Sequence, residues 1–190
     1  SNDWAKSYAD PTRDYMKSKG VEPTMVLAME RGQTDATAQV LKIRQAKPDF
    51  IVASLYEAET VIFLKDLKKY GITDIPVMGA AGTDLENTLA RIGDIDTVKN
   101  YYVPHAFIDT VDGPGMKEWN DMILKYYPNE TITGFSAVSM ASGVAAVKAF
   151  EAAGRDLTRS KFISELDKIQ GLETGILACP ITWSATDRHG

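Results

Sequence analysis

A chain of 190 residues with 21 Lys+Arg against 26 Asp+Glu, net charge −5, is 44% hydrophobic and 25% charged, the composition of an ordinary globular protein. That length supports one sizeable core and excludes a disulfide-stapled miniature, while the acidic balance argues against a nucleic-acid partner, whose phosphates call for a basic face. No apolar run approaches the ~18 residues of a membrane-spanning helix, so direct membrane insertion is not expected. Cys179, the single cysteine, can form neither an internal disulfide nor a Cys-based metal site. Ser1-Asn2-Asp3 opens with neither a basic nor an apolar stretch, so these residues are expected to carry no targeting address.

In chain order, Asp3 to Ala9 predicts a short helix interrupted at Asp10-Pro11, because proline lacks the N–H a helix interior donates. A second helix restarts there and stops at Gly20, the left-handed C-terminal signal. Thr24-Met25-Val26-Leu27-Ala28-Met29 is a continuous apolar run of strand length, expected to be covered on both faces. Thr34 or Asp35 caps a helix running to Ala46, with Ala36, Val40 and Ile43 inward. Phe50 to Ser54 predicts a second buried strand. Glu57 to Tyr70 predicts a helix with Ala58, Val61, Ile62 and Leu67 inward, stopped by Gly71. Ile75 to Gly79 follows as a strand entered through a proline, then a short helix from Asp84 to Arg91 and a fourth strand at Asn100 to Pro104. From Asp112 the pattern turns helical, over 113–127, 135–153 and 160–170, and 175–178 with 180–183 read as short strands. Strands alternating with helices of 10–15 residues predict βαβ units. The expected fold is therefore a three-layer α/β, Rossmann-like or flavodoxin-like parallel sheet with helices on both faces.

Chemistry-bearing motifs are sparse. Gly79-Ala80-Ala81-Gly82 follows a strand and precedes a helix, yet has neither the G-x-G-x-x-G spacing nor a Lys-Ser/Thr for a phosphate. His105 and His189, the two imidazoles, form no metal-ligand motif, and His105 is of interest because loops at the carboxyl ends of parallel strands are where ligands dock. No G-x-S-x-G elbow surrounds a serine, and Cys179 has no evident activating base. Glu57, Glu59, Asp84 and Asp109 read first as caps and exposed first-turn carboxylates. No catalytic constellation, metal site or cofactor is expected, and an enzyme is disfavoured. What remains is a set of aromatics at strand-to-helix junctions: Trp4, Tyr56 beyond the strand ending at Ser54, and Phe135. Each ring alone is as readily a core lid as a pocket wall, and three together favour a pocket.

The order Asn2-Asp3-Trp4, Thr34-Asp35-Ala36-Thr37-Ala38-Gln39-Val40-Leu41-Lys42-Ile43, Lys47-Pro48-Asp49-Phe50-Ile51, Ile75-Pro76-Val77-Met78-Gly79, Ala149-Phe150-Glu151-Ala152-Ala153-Gly154 and Pro180-Ile181-Thr182-Trp183 resembles the type I periplasmic solute-binding proteins, in their Leu/Ile/Val-binding branch that serves ABC importers. The resemblance implies that residues 1–190 are a single ligand-binding lobe, the carboxyl-side one, with its first strand and the partner lobe outside the chain. It implies a non-enzymatic receptor that captures a small, partly apolar solute between two lobes and delivers it to a membrane permease. The expected location is the periplasm, or the outer surface of a Gram-positive cell by a lipid anchor. A ligand sensor of the same architecture, serving a regulator, is the alternative. Implied ligand-binding positions are Trp4, Ser54, Tyr56, Ala81, Asp84, His105 and Phe135. Where amino-acid binders of the family place a Glu for the ligand's ammonium, this chain has Ala81; a buried ammonium without a counter-charge costs several kcal/mol. Either Asp84 or a group of the other lobe substitutes, or the solute is a carboxylate or amide without an amino group.

Overall fold

The computed structural model describes residues 3–80, 85–105, 115–130 and 132–188, in two compact units, Ser1–Pro104 and His105–Gly190.

The first unit begins with α1 (Asp3–Ser18), which runs unbroken through Pro11, where the sequence predicts an interruption. Ser7, whose carbonyl loses its Pro11 donor, is exposed to water, as is Pro11 itself. The Thr12 hydroxyl donates to the neighbouring carbonyl of Tyr8 at 2.7 Å. The helix ends as predicted at Gly20, φ 73°, with the Val21 N–H donating back to the Met16 carbonyl at 2.9 Å, the pairing that satisfies orphan carbonyls at a helix end.

Residues 25–29 are not a strand. They alternate between half-buried Met25, Leu27 and Met29 and exposed Val26 and Ala28, with Leu27 and Met29 packed on the core, so only one face is covered. The Ala28 carbonyl accepts from the Gln39 side chain at 2.7 Å instead of a ladder N–H. Apolarity alone sets burial; a strand also needs a paired neighbour.

Asp35 opens α2 (Thr37–Ala46) by accepting from the Thr37 N–H at 3.0 Å. Val40 and Ile43 face inward as predicted, and the helix stops at left-handed Lys47, because the following Pro48 disfavours helical geometry in the residue before it. Next come β1 (Ile51–Ala53), α3 (Glu57–Lys69), β2 (Val77–Gly79), α4 (Leu85–Ile92), α5 (Ile95–Val98) and β3 (Tyr101–Tyr102). The strands form one parallel sheet in the order β1-β2-β3, the α/β arrangement expected, with three strands among the described residues in place of the four expected. On one face Ala53, Val77 and Tyr101 pack with Val40, Ile43, Phe63, Leu64 and Leu67 into the core. Across the other face run Val52, Met78 and Tyr102 in register, each exposed. Gly79 is required where it stands: a Cβ there would lie 2.2 Å from the Tyr101 hydroxyl oxygen. In α3, Ala58 is exposed, against expectation, and Glu59 and Thr60 are buried instead.

The second unit holds α6 (Met116–Tyr126), α7 (Gly134–Ala153) and α8 (Arg159–Leu166). Thr133 and Ser136 form a reciprocal capping box at the start of α7. Along α7, Ala137, Ala141, Ala145, Ala149 and Ala153 recur every fourth residue and are all buried, and Ala137 joins Met116 and Ile176 in a small core. Phe150 and Phe162 stack at 4.4 Å between ring centroids, joining α7 to α8. In place of the two strands expected near the carboxyl end, the described residues show isolated bridge positions: Leu172 pairs antiparallel with Ile181, and Leu177 is a further bridge residue. The Thr174 hydroxyl takes the N–H groups of Ile176 and Leu177 at 3.3 and 3.1 Å, a local side-chain-to-backbone turn.

Candidate functional site

The carboxyl end of β1 leads through Ser54 and Leu55 into Tyr56, the N-cap of α3. A recess opens there, lined by Ala5, Met29, Arg31, Ser54, Tyr56 and Glu59 among others. Tyr56 is half-buried and lies outside the apolar core cluster of the unit. Trp4 stacks on its ring at 4.4 Å between centroids with the planes 17° apart, and Tyr8 adds a tilted contact to Trp4 at 5.1 Å. The guanidinium of Arg31 lies 5.1 Å from the Tyr56 centroid, a cation–π distance. Three segments distant in sequence thus meet at Tyr56: the first turn of α1, the turn after the extended segment 25–29, and the start of α3.

Glu59 forms one wall. It is 5% exposed, which corrects its reading as a solvated first-turn carboxylate. Its Oε1 accepts from the Gly32 N–H at 2.7 Å, and its place in the first turn of a 13-residue helix puts it where the positive end of the helix dipole favours negative charge. Gly32 has φ 80°, a left-handed conformation glycine adopts without strain. Glu57, the other carboxylate of that turn, pairs with Arg91 at 2.9 Å.

Of the predicted site residues, the structure brings Trp4, Ser54 and Tyr56 together. His105 is exposed at the start of the second unit. Phe135, in the same unit, is 66% exposed near the start of α7, which removes it from any core-lid role. Ala81 and Asp84, like Asp109 and His189, lie outside the described residues. Cys179 is free and exposed. Among the described residues no cluster of three or more His, Cys, Asp or Glu could hold a metal ion, and no helix is long and apolar enough to cross a membrane. Sequence reasoning missed Arg31 and Glu59. The Arg31-Gly32 pair after an apolar run was the available signal for a turn; nothing local to Glu59 indicates that its partner lies 27 positions earlier.

A fatty acid ABC transporter substrate-binding protein from Thermomonospora curvata superposes with a TM-score of 0.84 at 20% identity, covering 96% of this chain and 47% of that one. A branched chain amino acid ABC transporter protein from Thermus thermophilus, solved with bound valine, gives 0.84 at 19% identity over 98% of this chain and 52% of that one. Among curated sequences, Leu/Ile/Val-binding protein homolog 7 of Brucella abortus (strain 2308) is 21% identical over 136 residues, 70% of this chain and 34% of that protein. The chain therefore spans about half the length of these solved relatives and a third of the curated one. The family described as periplasmic binding protein matches residues 1–190, and the chain belongs to that family.

Proposed function

We propose that residues 1–190 form one ligand-binding lobe of the substrate-binding component of an ABC importer. In this reading the full-length protein captures a small, partly apolar solute between two lobes outside the cytoplasm and hands it to a membrane permease without altering it chemically. The solute is a branched-chain or other amino acid, or an aromatic or aliphatic carboxylate. The observation that carries the reading is the Trp4–Tyr56 stack at the mouth of the β1–α3 junction. Two large rings kept out of the core beside a recess offer apolar area with few rotors to freeze, as a small apolar solute requires. Ligands of open parallel sheets gather at the carboxyl ends of strands, and closure on a ligand touching both lobes is a hinge motion. Phe135, His105, Ala81 and Asp84 are further proposed contact positions.

Two measurements test the reading. Native mass spectrometry of the full-length protein identifies what co-purifies, and calorimetric titration of that solute gives its affinity. Replacing Tyr56 by Ala should weaken binding by roughly 1–3 kcal/mol, the worth of burying a large apolar side chain, with little change in a denaturant melt. Unchanged affinity with a loss of ~3–5 kcal/mol in stability, the cost of truncating a core aromatic, would remove Tyr56 from the site. Turnover of the bound solute would refute the receptor reading itself.

A further inference from the structure

We infer that Glu59 is a positioning residue of the recess: its buried carboxylate holds the turn 30–33 against the first turn of α3, and that hold fixes the spacing between the turn and Tyr56 across which a solute is gripped. The inference rests on the solute-receptor reading and concerns how one wall of that site keeps its place.

The two walls are secured differently. Tyr56 caps α3, and α3 is anchored by Phe63, Leu64 and Leu67 in the core of the unit. Opposite stands a turn whose residues Glu30, Arg31 and Gly32 are all exposed, although Glu30 and Arg31 line the recess. Apolar burial does not hold such a turn, so polar contacts set its position. Several of them are local. The Gln33 N–H donates to the Glu30 carbonyl at 3.1 Å, and the Glu30 N–H donates to Gln33 Oε1 at 3.1 Å. The Gln33 side chain also donates to the Asp35 carbonyl, and that of Gln39 to the Ala28 carbonyl at 2.7 Å. These bonds shape the turn within residues 28–39 and do not reach α3. The bond from the Gly32 N–H to Glu59 Oε1, 2.7 Å long across 27 positions, does. A carboxylate acceptor makes it stronger than a bond between neutral groups. Arg31 crosses to Tyr56 as well, at 5.1 Å, but through an exposed side chain with many rotors. Stability alone does not call for a carboxylate here. At a position 5% exposed, an apolar side chain of similar volume serves a fold as well or better, because removing a charge from water is costly. What an apolar side chain lacks is an acceptor for the Gly32 N–H.

The test uses the full-length protein, titrated calorimetrically with leucine, isoleucine, valine and octanoate. The parent is compared with Glu59→Gln, Glu59→Asp and Glu59→Ala, and hydrogen exchange of the solute-free proteins is resolved to single amides. Gln keeps an acceptor at the same reach and removes the charge, whereas Asp keeps the charge and falls one methylene short. Glu59→Gln should bind within about 3-fold of the parent, and Glu59→Asp and Glu59→Ala about 10-fold more weakly, the cost of re-ordering one or two side chains on binding. In those two variants the Gly32 amide should exchange at least about 10-fold faster, while the amides of Leu64 and Leu67 keep their protection. A loss in Glu59→Gln as large as in Glu59→Ala makes the charge the operative feature and overturns the inference. Parent-like affinity in Glu59→Asp and Glu59→Ala does the same. Faster exchange throughout the unit, with affinity per folded molecule unchanged, assigns Glu59 to stability alone and also overturns it. Where Glu59→Ala does not fold, the contrast between Gln and Asp decides. Each of these outcomes leaves the receptor reading standing, since the parent still binds; a parent that binds neither these probes nor any co-purifying solute refutes both.

Discussion

The two units reach burial by opposite routes. In the first, β-branched, leucine and aromatic side chains from a parallel sheet and its helices, among them Val40, Ile43, Phe63, Leu64, Leu67, Val77 and Tyr101, fill a common core. In the second, the side chains most completely buried along α7 are alanines at every fourth position, and the core cluster around Ala137 is small. Alanine removes little apolar area from water, so its burial signals close approach of whatever packs against it. Equal burial therefore does not mean equal energetics: the first unit depends on keeping its large side chains, the second on keeping small ones small.

Exchanging the sizes at buried positions sharpens that contrast. Leu64, 3% exposed, should cost about 2–5 kcal/mol when cut to Ala, the range for a leucine whose cavity does not collapse. A denaturant melt that moves by less than 1 kcal/mol would show that this core tolerates voids. The opposite change at Ala145, 0% exposed, to Leu should destabilise by about 1–3 kcal/mol through overpacking; a neutral result in the same melt would mean that the alanine row faces space a larger side chain can fill. At the start of the same helix, Thr133→Ala removes the cap bonded to Ser136 and should cost about 0.5–2 kcal/mol, recovered in part by Thr133→Ser.

The smallest effects belong to one half-buried carboxylate in each unit. Asp94 is held below the ordinary carboxylate value of 3.8, first by a hydrogen bond from Lys68 and then by the Thr97 hydroxyl. Asp167 is held below it chiefly by hydrogen bonding from Arg188, whose Nε and terminal nitrogen reach its two oxygens at 2.7 and 2.9 Å. A carboxylate with a depressed folded pKa contributes stability above its unfolded value and loses it as pH falls through the folded value. Asp94→Asn and Asp167→Asn should therefore each lower the thermal midpoint slightly at neutral pH, with the gap to the parent closing below about pH 3.8 and narrowing in high salt. A gap that persists in acid would assign the effect to lost geometry, not to charge.

Punctuation was the most legible part of the fold. Gly20, Gly71 and Gly154 end or follow their helices with φ of 73°, 73° and 69°, a conformation other residues adopt only with strain, and each is readable from its own position. The inward sets Val40/Ile43 and Val61/Leu67 followed from helical period. At Pro11 and at residues 25–29 a local property and the folded structure disagree. Proline disfavours a helix interior, yet α1 continues through it with its first turn engaged through the Trp4 ring. An apolar run of strand length lacks a strand without a ladder partner, and residues 25–29 pack only alternate side chains. At the site, Trp4, Ser54 and Tyr56 could be named from their places at element ends and from the family resemblance, whereas Arg31 and Glu59 could not. An arginine in a polar turn and a glutamate in a first helical turn are solvated far more often than not.

The order of residues determined by itself where helices stop, that parallel strands alternate with helices, and that the chain carries the pattern of its family, since these depend on backbone conformational preference and on periodicities within a few turns. Tertiary structure alone decided which apolar segments became strands, which carboxylate of α3 was buried, and that Arg31 and Trp4 share the ring of Tyr56. The physical reason is range: dihedral preference and helical period act over a handful of residues, but a ladder, a buried hydrogen bond across 27 positions and a ring stack exist only once the chain has folded back on itself, and their free energy depends on partners that no local window contains.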